Sequence, residues 1–329
     1  VWIDNNGLIT LLTVSLHTMK LKMDLHKRYS MPNIFVYDTG RPKTTKFTLA
    51  FARGVIRNTH TSIDKWVVKH APIQHYLDQG MPKDADAVAT LGILRGTGLM
   101  LKEAKQKGID YYYMDHAYFN PGYSGKGWMR VTKNGHACTT LKPCDATAYN
   151  AFAVNQEKNV MDYWHGSRGD KIIVCPPTHA VQWFFDDYNW ENSIVERLKN
   201  MLPQDQHDRI VIRQKPKEPI VDARGNLMGL RQNPQTGSLA EDLEQAHCVI
   251  AYNSMVALEA TLKGIPVITS DHSCCTHVSF KLEDIMLPGV FNREPANRQS
   301  LLNWLACNQW KMASLDNGTA WAKLQENYN

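Results

Sequence analysis

The chain has 329 residues but no apolar run of 18 or more, so the sequence predicts no membrane-spanning helix. Its apolar stretch Leu8–Leu16 is short and lacks a basic start, and we therefore expect no signal peptide. The G-x-x-x-x-G-K-[ST] pattern and the glycine fingerprint of dinucleotide-binding proteins are also missing. These absences argue against P-loop enzymes and against nicotinamide-dependent oxidoreductases.

Cysteine is scarce and irregularly spaced. Seven cysteines, two of them adjacent, do not predict a disulfide framework, and their odd number favours the reducing environment of a cytoplasm. The segment His272–His277 places two histidines around the adjacent cysteines, but it lacks the second ligand pair of a zinc site. We therefore predict no metal site and expect this segment to be a loop that follows a strand.

Basic side chains only slightly outnumber acidic ones. The 37 lysines and arginines against 32 acidic residues give a net charge of +5, well below the balance typical of obligate nucleic-acid-binding proteins. The basic residues still cluster, in segments 20–28, 41–46, 126–133 and 213–217. In the third segment, tryptophan and glycine are interleaved with the charges, a mixture that suits a phosphate backbone and stacked bases. We predict an acceptor-binding surface formed by Lys126, Trp128, Arg130 and Lys133.

The length and the 43% hydrophobic content suit two α/β domains. We assign residues 31–168 to an N-terminal domain and residues 169–329 to a C-terminal domain with closing helices, and we give residues 1–30 no function. The first half alternates strands and a helix, at Asn33–Tyr37, Ala87–Ile93, Thr97–Lys107 and Tyr111–Met114. This βαβ order predicts parallel sheets in both domains, with ligands bound beyond the carboxyl ends of the strands. The sequence leaves the oligomeric state open.

The second half restarts the same alternation. We predict strands and helices at Lys171–Cys175, Asn192–Leu202, Arg209–Arg213, Leu239–Gln245, Leu301–Met312 and Thr319–Gln325. Two stretches rich in glycine and polar residues, 120–170 and 215–237, are interpreted as loops.

The segment Ala246–Ser270 has the clearest pattern in the chain. Two apolar strands enclose a short helix, and Gly264 stands where a left-handed residue ends such a helix. Asn253 or Ser254 can cap the start of the helix, where free backbone N–H groups attract a phosphate. Glu259 follows about one turn later, a suitable place for a carboxylate that accepts hydrogen bonds from the two hydroxyls of a ribose. An ordinary crossover in a parallel sheet explains the pattern equally well.

This segment resembles the nucleotide-sugar half of GT-B glycosyltransferases, in particular those of the capsule-polysaccharide type. The resemblance rests on Asn253, Ser254, Glu259 and the run Lys263-Gly264-x-Pro266-Val267. It implies two Rossmann-like domains with a cleft between them, and a nucleotide-diphosphate sugar as donor, with a UDP-sugar expected. A basic pair after the corresponding strand contacts the diphosphate in that family, and we carry this role to Arg213 and Lys215.

Further donor-binding candidates stand at strand ends or before helices, namely Thr178, His179 and Ser238. No cofactor is expected to be tightly bound. The pair Asp84-x-Asp86 precedes a strand rather than following one, so we expect donor binding to need no divalent metal.

The aromatic strand Tyr111–Phe119 carries Asp115 and His116 near its carboxyl end. Inverting glycosyl transfer needs a base that takes the proton of the acceptor hydroxyl. We interpret Asp115 as that base, with His116 as the second candidate. A core strand without catalytic residues is the alternative.

The aromatic strand and the run Gly127–Asn134 that follows resemble glycosyltransferases encoded by bacteriophages, some of which modify hydroxymethylated pyrimidines in DNA. This resemblance implies transfer of a sugar such as glucose to 5-hydroxymethylcytosine or 5-hydroxymethyluracil in double-stranded DNA, in the host cytoplasm. Transfer to a polysaccharide or a lipid-linked glycan is the second hypothesis. A non-catalytic protein of the same fold that binds nucleotides or nucleic acid is the third.

Overall fold

The computed structural model describes residues 31–59, 65–122, 127–153, 159–235 and 237–328. The proposed extension 1–30 and the candidate Lys126 lie outside these residues. None of the helices in the described ranges is both long and apolar enough to cross a lipid bilayer.

The first half of the chain builds most of a six-stranded sheet. Its elements are β1 (Asn33–Asp38), α1 (Pro42–Thr59), β2 (Val67–Pro72), α2 (Ile73–Gln79), β3 (Ala87–Leu91), α3 (Thr97–Lys107), β4 (Asp110–His116), β5 (Trp128–Lys133) and α4 (Asn150–Ala153). The strand order is β12-β5-β4-β3-β1-β2, where β12 comes from the end of the chain. Strands β2, β1, β3 and β4 are parallel, and β5 pairs antiparallel with β4.

The second half builds a four-stranded parallel sheet of order β11-β10-β6-β7 and a two-stranded hairpin. The elements are β6 (Lys171–Cys175), α5 (His179–Phe185), α6 (Trp190–Met201), β7 (Ile210–Ile212), β8 (Lys217–Val221), β9 (Leu227–Gln232), α7 (Leu239–Glu244), β10 (Ala246–Ala251), α8 (Val256–Leu262), β11 (Val267–Thr269), α9 (Arg298–Cys307), β12 (Gln309–Lys311), α10 (Met312–Asp316) and α11 (Thr319–Tyr328).

Both faces of each sheet are covered, which explains why the strands are almost continuously apolar. In the first sheet, Val36 faces a core formed with α1, α10 and α11, whereas Tyr37 faces the opposite side. On that opposite side, Trp183 of α5 packs between the units, together with Val221 of the hairpin. The indole nitrogen of Trp183 donates to the Ala223 carbonyl at 3.1 Å. Helix α5 therefore joins the second unit to the first sheet.

The predicted fold class is confirmed. The chain is an α/β protein with two Rossmann-like sheets built from parallel strands and crossover helices. The pattern around Gly264 is also confirmed, because this glycine has φ = 68° and ends the crossover between β10 and β11. Its Cα faces the Tyr163 carbonyl too closely to admit a side chain.

Three predictions from local pattern are wrong. The helix predicted over Leu301–Met312 ends at Cys307, after which β12 pairs antiparallel with β5. The loop predicted over 215–237 contains the β8–β9 hairpin, and the loop predicted over 120–170 contains β5. The sequence boundary at residue 168 stays a prediction. Strand β12 belongs to the first sheet, and α10 and α11 pack beside α1 through residues such as Leu315 and Trp321.

Candidate active site

The Asp115 carboxylate, at the carboxyl end of β4, accepts three hydrogen bonds. Asp115 accepts from Arg130 at 3.0 Å, from the Tyr113 hydroxyl at 2.7 Å and from the His116 backbone N–H at 2.7 Å. Burial raises the pKa of Asp115, but the Arg130 charge and the Tyr113 hydrogen bond outweigh it, so the pKa lies below the ordinary value. A carboxylate in this state is a weak proton acceptor and a rigid one.

The neighbouring His116 has the opposite character, since its side chain is exposed. The surrounding protein still removes part of the water around the imidazole, and this burial lowers its pKa. The Asp115 carboxylate raises the pKa, and the charges of Arg130 and Lys215 lower it. The imidazole is therefore neutral at pH 7 and able to accept a proton. Lys215, whose charge acts on His116, belongs to the second unit.

A buried histidine links the two sheets. His136 stacks on Tyr113, with ring centroids 4.6 Å apart, and its Nε2 lies 3.1 Å from the Tyr113 hydroxyl. Its Nδ1 lies 3.5 Å from the side-chain amide nitrogen of Asn253, a residue that follows β10. Arg130 spans the same junction, because its Nη1 lies 3.9 Å from the Met255 sulfur. The carboxyl ends of β4 and β10 thus meet through side chains of both units.

Burial and the Arg130 charge lower the pKa of His136 to about 3, against the influence of Asp115. A histidine with a folded pKa below its unfolded value contributes stability that is complete above about pH 6.5 and is lost as the pH falls towards 3. When the pH falls from 7 to 4, the free energy of unfolding should decrease by about 3 kcal/mol more in the wild type than in the His136→Phe variant. Denaturant unfolding at both pH values measures this, with the exposed His75→Phe as control. Equal losses in the two variants would contradict the assignment.

The two basic residues after β7 differ in their surroundings. Arg213 is largely buried and forms an ion pair with Asp242, which also lies 3.8 Å from the Lys171 ammonium. Lys215 is exposed, and no hydrogen bond or ion pair of its ammonium is found within the described ranges. Arg213 therefore holds α7 against β7, whereas Lys215 stays exposed beyond the carboxyl end of β7.

Three further donor candidates have partners in the fold. Ser238 caps α7, because its hydroxyl accepts from the Glu241 backbone N–H at 3.2 Å. His179 uses its Nδ1 to accept from the Val221 backbone N–H at 3.2 Å. Thr178 stands before α5 at the carboxyl end of β6, without a side-chain capping bond. Thr178 and His179 thus lie beside the hairpin, while Ser238 lies beside Arg213.

The motif after β10 places its polar residues at the edge of the second sheet. Helix α8 starts at Val256 and has seven residues, and the Ser254 hydroxyl accepts from the Val256 backbone N–H at 3.3 Å. Glu259 is exposed on this helix, whereas Leu258 and Leu262 are buried beneath it. Helix α8 thus has an apolar face against the sheet and a polar face that carries Glu259.

The predicted acceptor-binding segment does not form an exposed basic surface among its described members. Arg130 is 6% exposed and paired with Asp115, and Lys133 forms an ion pair with Asp110 at 2.8 Å. Trp128 packs edge-on against Phe152, with ring centroids 4.7 Å apart. Arg130 thus serves the junction between the units, whereas Lys133 pairs within the first sheet.

The segment after β11 is a loop, as predicted. His272 stacks on Phe185, with ring centroids 4.1 Å apart, and His277 Nε2 lies 2.8 Å from the Thr139 carbonyl. Across the residues that the structure describes, no group of three or more histidine, cysteine or acidic side chains is arranged to hold a metal ion.

Sequence reasoning missed His136 and the role of Tyr113. His136 follows β5 in a stretch interpreted as loop, and Tyr113 stood among aromatic residues assigned to the core. Their spacing of 23 residues carries no local signal. Only the antiparallel pairing of β4 with β5 brings them together.

No protein-family model matches the chain, and no curated protein matches its sequence. Among solved structures, the chain is similar to the β-Kdo 2,7 transferase of KpsC from Thermosulfurimonas dismutans, with a TM-score of 0.44, 12% identity and coverage of 90% of this chain and 99% of the other. The β-Kdo 2,4 transferase of the same KpsC gives a TM-score of 0.38 and 11% identity over 86% and 93% of the two chains.

The UDP-GlcNAc 2-epimerase of Methanocaldococcus jannaschii, in complex with UDP-GlcNAc and UDP, gives a TM-score of 0.27 and 11% identity. The match covers 91% of this chain and 100% of the epimerase. Identities of this size lie far below the level at which an activity transfers from one protein to another.

Proposed function

We propose that this protein is a glycosyltransferase that uses a nucleotide-diphosphate sugar, with a UDP-sugar as the expected donor. One observation carries the proposal: the carboxyl ends of the two sheets meet through His136 and Asn253, with the exposed His116 at the end of β4 and the exposed Lys215 after β7. A base and a cation on opposite sides of a junction between two Rossmann-like sheets are what inverting transfer requires.

In the proposed reaction His116 is the general base. Its imidazole nitrogen takes the proton of the acceptor hydroxyl while the oxygen attacks the anomeric carbon of the sugar. The bond from that carbon to the diphosphate breaks, and the nucleoside diphosphate leaves with an added negative charge. Lys215 stabilises this charge. We choose His116 over Asp115 because the Asp115 carboxylate already accepts three hydrogen bonds.

Asp115 is proposed as a positioning residue. It accepts from the backbone N–H of His116, and the Arg130 guanidinium fixes it in turn. Because the Arg130 side chain is buried between the units, this arrangement couples the position of the base to the closure of the two sheets.

For the donor, we propose that Glu259 holds the ribose hydroxyls and that Asn253 and Ser254 line the diphosphate site. These assignments rest on the resemblance to capsule-polysaccharide transferases and on the exposed position of Glu259. We do not assign Arg213 to the diphosphate, because its ion pair with Asp242 neutralises its charge and holds α7 in place.

Replacing Lys215 with alanine should weaken binding of a nucleoside diphosphate by about 1.5–3 kcal/mol, the contribution of a hydrogen bond to a charged group. The melting temperature should stay unchanged, because the side chain is exposed. Isothermal calorimetry with UDP measures the affinity. Lys199→Ala, an exposed lysine on α6, is the matched control. Equal affinities for the two variants would remove Lys215 from the donor site.

For the acceptor, we propose the hydroxymethyl group of a modified pyrimidine in double-stranded DNA. The exposed side chains of Lys215, Lys217 and Arg224 support a polyanionic acceptor beside the proposed donor site. A polysaccharide or lipid-linked glycan is the second candidate, and the burial and pairing of Arg130 in the segment predicted to bind DNA favour it.

The deciding experiment incubates the protein with a panel of nucleotide sugars and three acceptors: hydroxymethylated duplex DNA, unmodified duplex DNA and a glycan mixture. Mass spectrometry of digested nucleosides and of the glycans detects any added sugar. Sugar on the hydroxymethylated DNA alone supports the proposal. Sugar on the glycans alone establishes the second candidate. Nucleotide binding without transfer or donor hydrolysis indicates a non-catalytic protein.

A further inference from the structure

The β8–β9 hairpin is fixed at both ends and lies across the junction between the two units. At its turn, the Gly225 carbonyl accepts from the Arg95 backbone N–H at 3.3 Å, a bond to the first unit. Asp222 orders the turn by accepting from the backbone N–H groups of Arg224 and Asn226, both at 2.8 Å. Gly225 has φ = 74° and faces the Trp183 ring too closely to admit a side chain. The hairpin is thus a rigid ribbon.

Two large apolar side chains of this ribbon are exposed. Met228 and Leu230 lie two positions apart on β9, with 69% and 54% of their surfaces exposed. Pro219 stands opposite Leu230 on β8, whereas Met228 lies at an irregularity of the pairing and has no partner there. Exposed methionine and leucine on a well-anchored strand are unexplained by packing and indicate a surface that meets another molecule.

Most of the exposed charge on the ribbon is positive. Lys217 and Arg224 are exposed, and Lys215 precedes the first strand. The two acidic residues of the hairpin have partners inside it. Glu218 is buried in an ion pair with Arg231, and Asp222 accepts hydrogen bonds that order the turn. A partner at this surface therefore meets exposed cations around an apolar centre.

We propose that the β8–β9 hairpin is the DNA-docking ribbon of this protein, with Lys217 and Arg224 on phosphates and Met228 and Leu230 inserted where the target base leaves the stack. The proposal rests on the DNA acceptor proposed above. Enzymes that modify a base commonly extrude the target nucleotide from the stack, and proteins that open a base step commonly insert apolar side chains there. The ribbon begins two residues after Lys215, the cation of the proposed donor site, and its turn is bonded to the first unit.

An anionic membrane is the other partner that basic and apolar side chains can recognise. Two features favour DNA. A two-stranded ribbon has the width that a DNA groove admits. The exposed apolar centre consists of two large side chains, a small area for stable insertion into a bilayer.

Binding to a fluorescent hydroxymethylated duplex, measured by anisotropy between 50 and 200 mM salt, tests the cationic part. The Lys217→Ser/Arg224→Ser variant should flatten the slope of log K against log salt by about 1.8, since each phosphate contact contributes about 0.9. The Met228→Ser/Leu230→Ser variant should leave the slope unchanged and reduce affinity about tenfold, because filling the opened step offsets part of the unstacking cost. A 2-aminopurine beside the target base should brighten with wild type and remain dim with this variant.

Matched controls are Lys199→Ser for charge and Met286→Ser for exposed apolar surface, both outside the hairpin. Unchanged DNA binding and sugar transfer in both hairpin variants would overturn the inference and leave the glycosyltransferase proposal intact. Hairpin-dependent binding to phosphatidylglycerol vesicles, with no binding to duplex DNA, would overturn it in favour of a membrane surface. Hairpin-dependent DNA binding without any sugar transfer would support the docking ribbon while removing the proposed chemistry.

Discussion

His116→Ala should reduce the turnover of sugar transfer by about 10²–10⁴-fold, the usual contribution of a general base. Donor affinity should be unchanged, because the proposed diphosphate cation Lys215 lies in the other unit. The wild-type kcat/KM should rise with pH through the lowered pKa of His116 and be constant between pH 7 and pH 8. This acidic limb should vanish in His116→Ala.

Rates measured by mass spectrometry of the product, with His75→Ala as the matched exposed histidine, give the comparison. Asp115→Asn should lower turnover less than His116→Ala and should keep the acidic limb, since Asp115 acts through the position of its neighbour. Full turnover in His116→Ala, together with an inactive Asp115→Asn, would make Asp115 the base.

Arg130→Ala should lower the free energy of unfolding by about 3–5 kcal/mol, the cost of leaving one member of a buried ion pair without its partner. The side chain is 6% exposed, and its loss leaves the partly buried Asp115 carboxylate without a cation. Chemical denaturation at pH 7 measures the difference. The double variant Arg130→Met/Asp115→Asn should recover much of the lost stability, because it removes both charges.

Lys133 supplies the control for Arg130, since it lies on the same strand in an ion pair with Asp110 that is partly open to solvent. Lys133→Ala should cost no more than about 1 kcal/mol. Equal losses for Arg130→Ala and Lys133→Ala would show that the junction gains nothing from the burial of Arg130.

The fold was predictable where short-range pattern and tertiary packing agree. Strand β6 and helix α3 have the predicted boundaries because apolar runs and glycine stops specify them locally. Strands β5 and β12 were missed because each depends on a partner far away in the chain. Trp310 is buried only when β12 lies beside β5, and three residues show no period of their own.

The candidate site was predictable to the level of segments rather than roles. The pattern placed Asp115, His116 and Asn253 at strand ends, and the structure brings these ends together. It ranked Asp115 above His116 as the base, whereas our proposal reverses this order because Arg130 pairs with Asp115 from the adjacent strand. The same pairing withdraws Arg130 from the predicted acceptor surface.

The return of the chain to its first sheet has a consequence for folding and motion. Strand β12 closes one edge of that sheet, and Trp321 and Leu324 complete its core, so this core cannot form before residues 309–324 have been synthesised. The chain also crosses between the units twice, near residue 165 and again near residue 308. Two crossings restrict a hinge to bending about a single axis. Closure over a substrate should therefore be a small, directed rotation rather than a free swing of two tethered bodies.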